Sequence, residues 1–251
     1  MKDKFAFQHF TIRQDHCAMK VGTDGVLLGG WSAMTVSNAE PQPIYRILDI
    51  GTGTGLIALM MAQSFPSSKV DALEIDSDAC SQAIDNVKHS PFFSQVNVIE
   101  GSLQSFCLSE TSPSYDLIVS NPPFFAYDHS LKSPDEKRDK ARHTSTLSYK
   151  ELFMGVKLLL APHGLFCAII PSEVSENFIT EGYFSGLVLN RKCMVRTVEG
   201  KTPKRCLLAF SRQRKSPLED TVENMMTRDG HPTEWWSRLT CDFYLDSSMT
   251  K

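Results

Sequence analysis

The sequence predicts an α/β protein built on a mostly parallel sheet. Three observations carry that expectation. From Tyr45 onward, short apolar runs alternate with segments of helical periodicity, the pattern of βαβ units. The first unit holds a glycine turn, Gly51-Thr52-Gly53-Thr54-Gly55, between its strand and its helix. The composition is that of a folded protein: of 251 residues, 41% are hydrophobic and 22% charged, with a formal net charge of −3. Such a chain buries a core and is not dominated by disorder.

The elements follow in order. In FAFQHFTIRQ, Phe5 and Phe7, then after a one-residue slip Phe10 and Ile12, alternate as in a strand. Lys20-Val21-Gly22-Thr23-Asp24-Gly25 reads as a turn with two glycines, and Val26–Trp31 opens a short helix. Ser37–Pro43 is polar and proline-containing, a connector. Residues 1–40 are therefore expected as an N-terminal strand and helix extension packed on a domain of residues 41–251. In that domain, strands are expected at Tyr45–Ile50, Val70–Ile75, Val96–Glu100, Tyr115–Ser120 and Gly164–Ile170. Helices are expected at Gly55–Phe65, at Ser77–His89 with Ser77 or Asp78 as N-cap, at Tyr149–Leu160, and from Glu173. Leu187–Val198 and Arg205–Phe210 read as a final antiparallel pair. Residues 129–147 hold little apolar content and form a long loop directly after the fourth strand, a kind of loop that is usually functional.

No uninterrupted apolar run approaches ~18 residues, so no transmembrane helix is expected. Met1–Ala6 lacks the apolar stretch of a signal peptide, and the expected location is the cytoplasm. The cysteines (Cys17, Cys80, Cys107, Cys167, Cys193, Cys206, Cys241) are odd in number and never spaced C-x-x-C. That argues against a disulfide framework or a cysteine-rich zinc site, and no metal is expected.

The small net charge hides an asymmetry. Residues 1–128 hold 7 basic and 14 acidic residues, and residues 129–251 hold 19 and 15. Arg191–Lys215 alone carries nine basic residues against one acid, Glu199. Such a division can mark a nucleic-acid partner, with an ordinary solvated surface as the alternative.

The glycine turn runs G-x-G-x-G, and Leu56 stands where a dinucleotide fingerprint needs its third glycine. A pyrophosphate wants a free helix N-terminus; this tight turn instead lets a non-phosphorylated ligand lie flat across the backbone. A Cβ would push that ligand away, and some of the glycines are expected at positive φ. Glu74 ends the second strand, where an acid can accept hydrogen bonds from both hydroxyls of a ribose.

On the turn, Glu74 and their strand context, the chain resembles the class I methyltransferases that bind S-adenosylmethionine. The resemblance implies a Rossmann-like fold: a seven-stranded, mostly parallel sheet with helices on both faces and a short N-terminal extension. It implies that Asp49 and the turn (Gly51, Thr52, Gly53, Gly55) meet the amino-acid part of the cofactor and that Glu74 binds the ribose. Ile75, Ser102 and Asn121, with Lys20, Thr23 and Asp24 of the N-terminal motif, complete the implied cofactor site. Ser102 stands where the family often has an acid contacting the adenine amine.

Asn121-Pro122-Pro123-Phe124 follows the fourth strand. Methyl transfer to an aromatic or amide nitrogen is hard because its lone pair is delocalised. An Asn side-chain oxygen and the next carbonyl can accept both N–H bonds and turn the lone pair towards the methyl group. The prolines hold the turn rigid, and positioning of this kind supplies several kcal/mol. An aromatic ring at the fourth position can stack on a flat base, worth about 1–3 kcal/mol.

NPPF resembles the motif of amino-methyltransferases acting on adenine N6, guanine N2 or glutamine N5. With Met19–Gly29, Ala141-Arg142-His143 and Asp242–Leu245, the chain is similar to bacterial tRNA methyltransferases that modify the exocyclic amine of adenine-37, beside the anticodon of a valine tRNA. The similarity runs over residues 5–245. It implies direct in-line transfer without metal or covalent intermediate, with catalysis by Asn121, Pro122, Pro123 and Phe124. Phosphate contacts from basic residues position an RNA without reading its sequence. The expected RNA-binding residues are Arg138, Arg142, His143, Lys201, Lys204 and Arg205, and the expected partner is the anticodon stem-loop. His143 is not needed as a general base, since the methylated nitrogen is cationic and sheds its proton readily. Trp235, Trp236 and Tyr244 read as packing residues. The alternatives are a glutamine-N5 protein methyltransferase or another nucleic-acid amino-methyltransferase. The glutamine enzymes favour Tyr in place of Phe124 and carry an N-terminal helical domain that the segment before Tyr45 is too short to form. An RNA-binding module without catalysis is a further alternative, disfavoured by the intact motifs.

Overall fold

A computed structural model describes residues 4–14, 22–37, 43–108, 114–123, 147–214 and 217–245. The chain opens with a hairpin of β1 (Lys4–Ala6) and β2 (Thr11–Arg13), followed by α1 (Thr23–Ser37). Then come β3 (Arg46–Ile50), α2 (Leu56–Ser64), β4 (Lys69–Glu74), α3 (Ser77–Lys88), β5 (Val96–Glu100), α4 (Leu103–Cys107) and β6 (Tyr115–Ser120). The last part holds α5 (Tyr149–Leu159), β7 (Leu160–Pro171), α6 (Ser175–Phe184), β8 (Val188–Val198), β9 (Arg205–Ser211), β10 (Glu219–Met226) and α7 (Glu234–Thr240).

The large sheet runs β10-β8-β9-β7-β6-β3-β4-β5. All of its pairs are parallel except β7–β9 and β8–β9. The seven expected strands are present, the last two as the expected antiparallel pair, and β10 adds an eighth. Its sequence, EDTVENMM, shows no apolar alternation. It is placed by its parallel ladder with β8 and by Met225, which is buried in the core, and its charges complement that strand: Glu219 meets Arg191 at 2.6 Å and Asp220 stands 3.9 Å from Lys192.

Each face of the sheet buries a cluster. One face is covered by α1, α2 and α7, with Phe7, Phe10 and Ile12 of the hairpin region in the same cluster. The other is covered by α4, α5 and α6 and centres on Phe153, Phe166, Phe178 and Phe210. Trp236 is buried in the first cluster, with Trp235 and Tyr244 packed against it, as packing residues should be. The six described cysteines are free thiols, and four of them are buried. Among the described residues, no helix is long and apolar enough to cross a membrane.

Several local expectations change. The N-terminal strand is a hairpin, because Phe7 N–H closes a turn on Phe10 C=O at 2.8 Å. Thr23-Asp24-Gly25 begins α1 and is not part of a turn. Gly25 and Gly29 serve close approach: a Cβ would lie 2.9 Å from Leu56 Cδ2 and 2.6 Å from Met60 Sδ, respectively. They let α1 press onto α2. The N-cap of α3 is Asp76, one residue before the expected Ser77, and its carboxylate accepts from Ala79 N–H at 2.8 Å. The helix after β7 starts as a 3₁₀ turn, Ser172–Val174, before α6.

Candidate active site

In an open α/β sheet, a crevice forms beyond the carboxyl ends of the strands where the strand order reverses. Here the chain moves from β3 to β4 on one side, while β6 lies on the other. The glycine turn after β3 and Asn121 after β6 therefore flank the switch point. Ser120 ties the two strand ends by donating its hydroxyl to Ile50 C=O at 2.9 Å.

Asp49 is fully buried at the end of β3. Its Oδ2 accepts from the Thr52 hydroxyl at 2.6 Å and from Ala58 N–H at 3.1 Å. Its Oδ1 is buried with no hydrogen-bond partner among the described residues. Burial pushes the carboxyl up to about 7, against the lowering effect of those two bonds, and the charge of Glu74 adds to the rise. A buried acceptor left open in this way is rare and points to a donor from beyond the described residues.

Three glycines bend the chain around this carboxylate. Gly51, Gly53 and Gly55 have φ of 73°, 56° and 83°. A Cβ on Gly51 or Gly53 would find no atom within 4 Å, so open space lies before both. The backbone is thus bare where a flat ligand would lie.

Glu74 holds the far side of the turn. Its Oε2 accepts from Gly53 N–H at 2.8 Å, and its Oε1 from Ile75 and Asp76 N–H at 2.9 and 3.0 Å. A carboxylate offers about four acceptor positions. Three are occupied, which leaves Oε2 one further bond to accept, fewer than the two expected from a ribose diol. Next to it, Ile75 is 58% exposed, an apolar platform at the crevice rim. Ser102 is used locally: its hydroxyl caps α4 by accepting from Ser105 N–H at 3.1 Å.

Asn121 stands beyond β6 with its Oδ1 buried and without a hydrogen-bond partner among the described residues. Pro122 is buried and Pro123 exposed. Lys20, Phe124, Arg138, Arg142 and His143 lie outside the described residues. Thr23 is exposed at the start of α1. Asp24 and Arg205, expected in separate cofactor and RNA roles, form one ion pair, with Arg205 Nε 2.9 and 2.8 Å from the two carboxylate oxygens. Lys201 and Lys204 are exposed in the β8–β9 connection on the same edge of the sheet.

One organising residue escaped the sequence. Asn86 of α3 is buried, donates to Arg13 C=O and Thr54 C=O at 2.9 Å each, and accepts from Arg13 N–H at 2.8 Å. It bolts the glycine turn to β2. A polar residue of low helix propensity on the inner face of α3 is the signal that could have found it.

The family description "Methyltransferase small domain" matches residues 31–134. A protein of Bacteroides fragilis named tRNA1(Val) (adenine(37)-N6)-methyltransferase is 44% identical over 241 residues, covering 96% of this chain and 97% of its own. This chain belongs to that family. A member from Photorhabdus laumondii is 39% identical over 245 residues, 97% of this chain and 96% of its own. Solved structures show the same fold. The protein Atu636 of Agrobacterium tumefaciens, described as an O-methyltransferase, aligns with a TM-score of 0.60 at 16% identity over 88% of this chain and 96% of that one. A TehB-like SAM-dependent methyltransferase from Corynebacterium glutamicum aligns with a TM-score of 0.50 at 15% identity, over 76% and 89%. The shared fold and the family agree that the chain is a methyltransferase.

Proposed function

We propose that the protein transfers a methyl group from S-adenosylmethionine to the N6 amine of adenine-37 in the anticodon loop of a valine tRNA. The observation that carries this reading is the pair of open acceptors at the switch point. Asp49 Oδ1 and Asn121 Oδ1, one at the end of β3 and one after β6, are both buried without partners among the described residues, and open space lies before Gly51 and Gly53 of the turn that follows Asp49. The names of the relatives support the substrate.

S-adenosylmethionine fits these residues. Asp49 would hold its ammonium group and Glu74 one ribose hydroxyl, while the turn Gly51–Gly55 receives the amino-acid part and Thr23 and Asp24 close the site from α1. The bound cofactor supplies a methyl group on a positively charged sulfur. Asn121 Oδ1 and the Pro122 carbonyl accept the two N–H bonds of the adenine amine and so direct its lone pair. Phe124 stacks on the flipped base. The carbon–nitrogen bond forms as the carbon–sulfur bond breaks, and the proton then leaves the cationic nitrogen to solvent. No strong base is required. An anticodon loop is already single-stranded, so splaying out one base costs little.

Lys201 and Lys204, with Arg205 beside them, supply the basic rim for the RNA backbone, joined by Arg138, Arg142 and His143 of the segment after Phe124. Residues 1–40 act as an extension of the domain formed by 41–251, which the burial of Phe7, Phe10 and Ile12 in the common core supports. The reading places the protein in the cytoplasm, with its substrate. The test is transfer of labelled methyl groups to valine tRNA transcripts: label is expected in the transcript with adenine at position 37 and not in one with guanine there. Label in both, or in a glutamine-containing protein substrate alone, would overturn the proposal.

A further inference from the structure

The fold uses many of the basic residues of Arg191–Lys215 internally. Arg191 pairs with Glu219, Lys192 with Glu176, Arg205 with Asp24, and Arg212 donates to the carbonyls of Lys157 and Leu160. Arg196 and Lys204 have no ion pair among the described residues. Both stand on the edge of the sheet that carries the crevice.

Backbone hydrogen bonds bring them together where the strands end. Ile170 pairs with Cys206, and Cys206 with Met194. Two residues further towards that edge come Ser172, in the 3₁₀ turn after β7, Lys204, just before β9, and Arg196, still in β8. Ser172 N–H donates to Lys204 C=O at 3.2 Å and Lys204 N–H to Val195 C=O, next to Arg196, at 2.9 Å, so the three residues are neighbours along the backbone. Ser172 Oγ and Arg196 Nε are each buried without a hydrogen-bond partner among the described residues. Lys204 is exposed beside them, as is Glu173. A buried guanidinium N–H with no acceptor, next to an unpaired ammonium and an open hydroxyl, is the donor set that an oxyanion satisfies.

Ser120 pairs with Ala168, so the Asn121–Pro123 turn leaves the sheet beside Ile169–Pro171, immediately before Ser172. We infer that Ser172, Lys204 and Arg196 cradle one backbone phosphate of the RNA next to the target nucleotide. The inference rests on the RNA reading above. The cradle fixes the register of the strand entering the crevice and reads no base.

The test measures binding of a fluorescent valine anticodon stem-loop across a KCl series, using the full-length protein and its Arg196→Gln, Arg196→Lys, Lys204→Gln and Ser172→Ala variants. Each phosphate contact removed lowers the slope of log K against log salt by ~0.7–0.9. Arg196→Gln and Lys204→Gln are expected to show that loss, Arg196→Lys to retain the slope, and Ser172→Ala to weaken binding with the slope unchanged. Lys88→Gln, at the far end of α3, is expected to match the wild type. S-adenosylmethionine affinity by calorimetry should be unaltered in Lys204→Gln, whose exposed side chain carries the test alone if Arg196→Gln does not fold. Wild-type slopes in both Gln variants would overturn the cradle while leaving the RNA reading intact. A wild-type protein that binds no stem-loop would overturn both.

Discussion

Asp24 and Arg205 lie 181 residues apart in the chain and meet as an ion pair, Nε to both carboxylate oxygens at 2.9 and 2.8 Å. The pair fastens the first turn of α1 to the start of β9. Both side chains are partly sheltered, at 22% and 33% exposure. Removing either one is expected to lower stability by about 1–2 kcal/mol, between the values for surface pairs and for charged hydrogen bonds. A double-mutant cycle of Asp24→Ala and Arg205→Ala in chemical denaturation should give a coupling of about 1 kcal/mol. Additive losses would show that the two do not act together.

If Asp49 holds the cofactor as proposed, stability and cofactor binding are expected to respond to pH in opposite directions. Its folded carboxyl titrates near 7 against an ordinary value of 3.8. Between those two values the folded protein holds a proton that the unfolded chain has lost. The free protein is therefore expected to lose stability as pH rises from about 4 to about 7, and to lose no more of it from Asp49 above that. A cationic group on Oδ1 favours the ionised form, so S-adenosylmethionine should bind about tenfold more weakly for each pH unit below about 7 and release a proton when it binds. Calorimetry in buffers of different ionisation enthalpy reads that proton directly. Asp49→Asn is expected to melt at or above the wild-type temperature at pH 8 and to bind little cofactor. Retained binding with an unchanged pH profile would remove Asp49 from the site.

The sheet core and the cofactor turn were legible because both rest on local patterns: apolar runs at fixed spacing, and glycines that turn out to sit at positive φ. What escaped depends on distant partners. β10 pairs with β8, where Glu219 meets Arg191 and Asp220 faces Lys192, and neither the ladder nor these charges reveal their partners in sequence. For the same reason the basic run around Arg191 overstated the free positive surface. Gly25 looked like a turn residue because the reason for it, contact with Leu56, lies in another helix.

Glu74 supports the turn as much as it offers a ligand an acceptor. In Glu74→Gln either orientation of the amide sets an NH₂ against a backbone N–H, of Gly53 or of Ile75 and Asp76. Cofactor affinity should fall about 10- to 100-fold, or 1.4–2.7 kcal/mol. An affinity within twofold of wild type by calorimetry would show that the carboxylate does not organise the site.

Gly51 separates strain from occlusion. With φ of 73° and open space before it, Gly51→Ala meets only the cost of left-handed backbone, about 1–2 kcal/mol of stability. If a ligand lies across that space, cofactor affinity should fall by clearly more than the strain alone allows. Equal losses in melting and in binding free energy would move the ligand elsewhere.

The central claim is that Asn121 directs the amine of adenine-37 at the methyl group. Its most direct test is mass spectrometry of the ribonuclease fragment spanning position 37 of a valine tRNA transcript after incubation with S-adenosylmethionine. Wild-type protein should place a single N6-methyladenosine there, and Asn121→Ala should lower its rate at least 100-fold while still binding cofactor. Methylation at another position or on another atom, or a near wild-type rate in Asn121→Ala, would contradict the account.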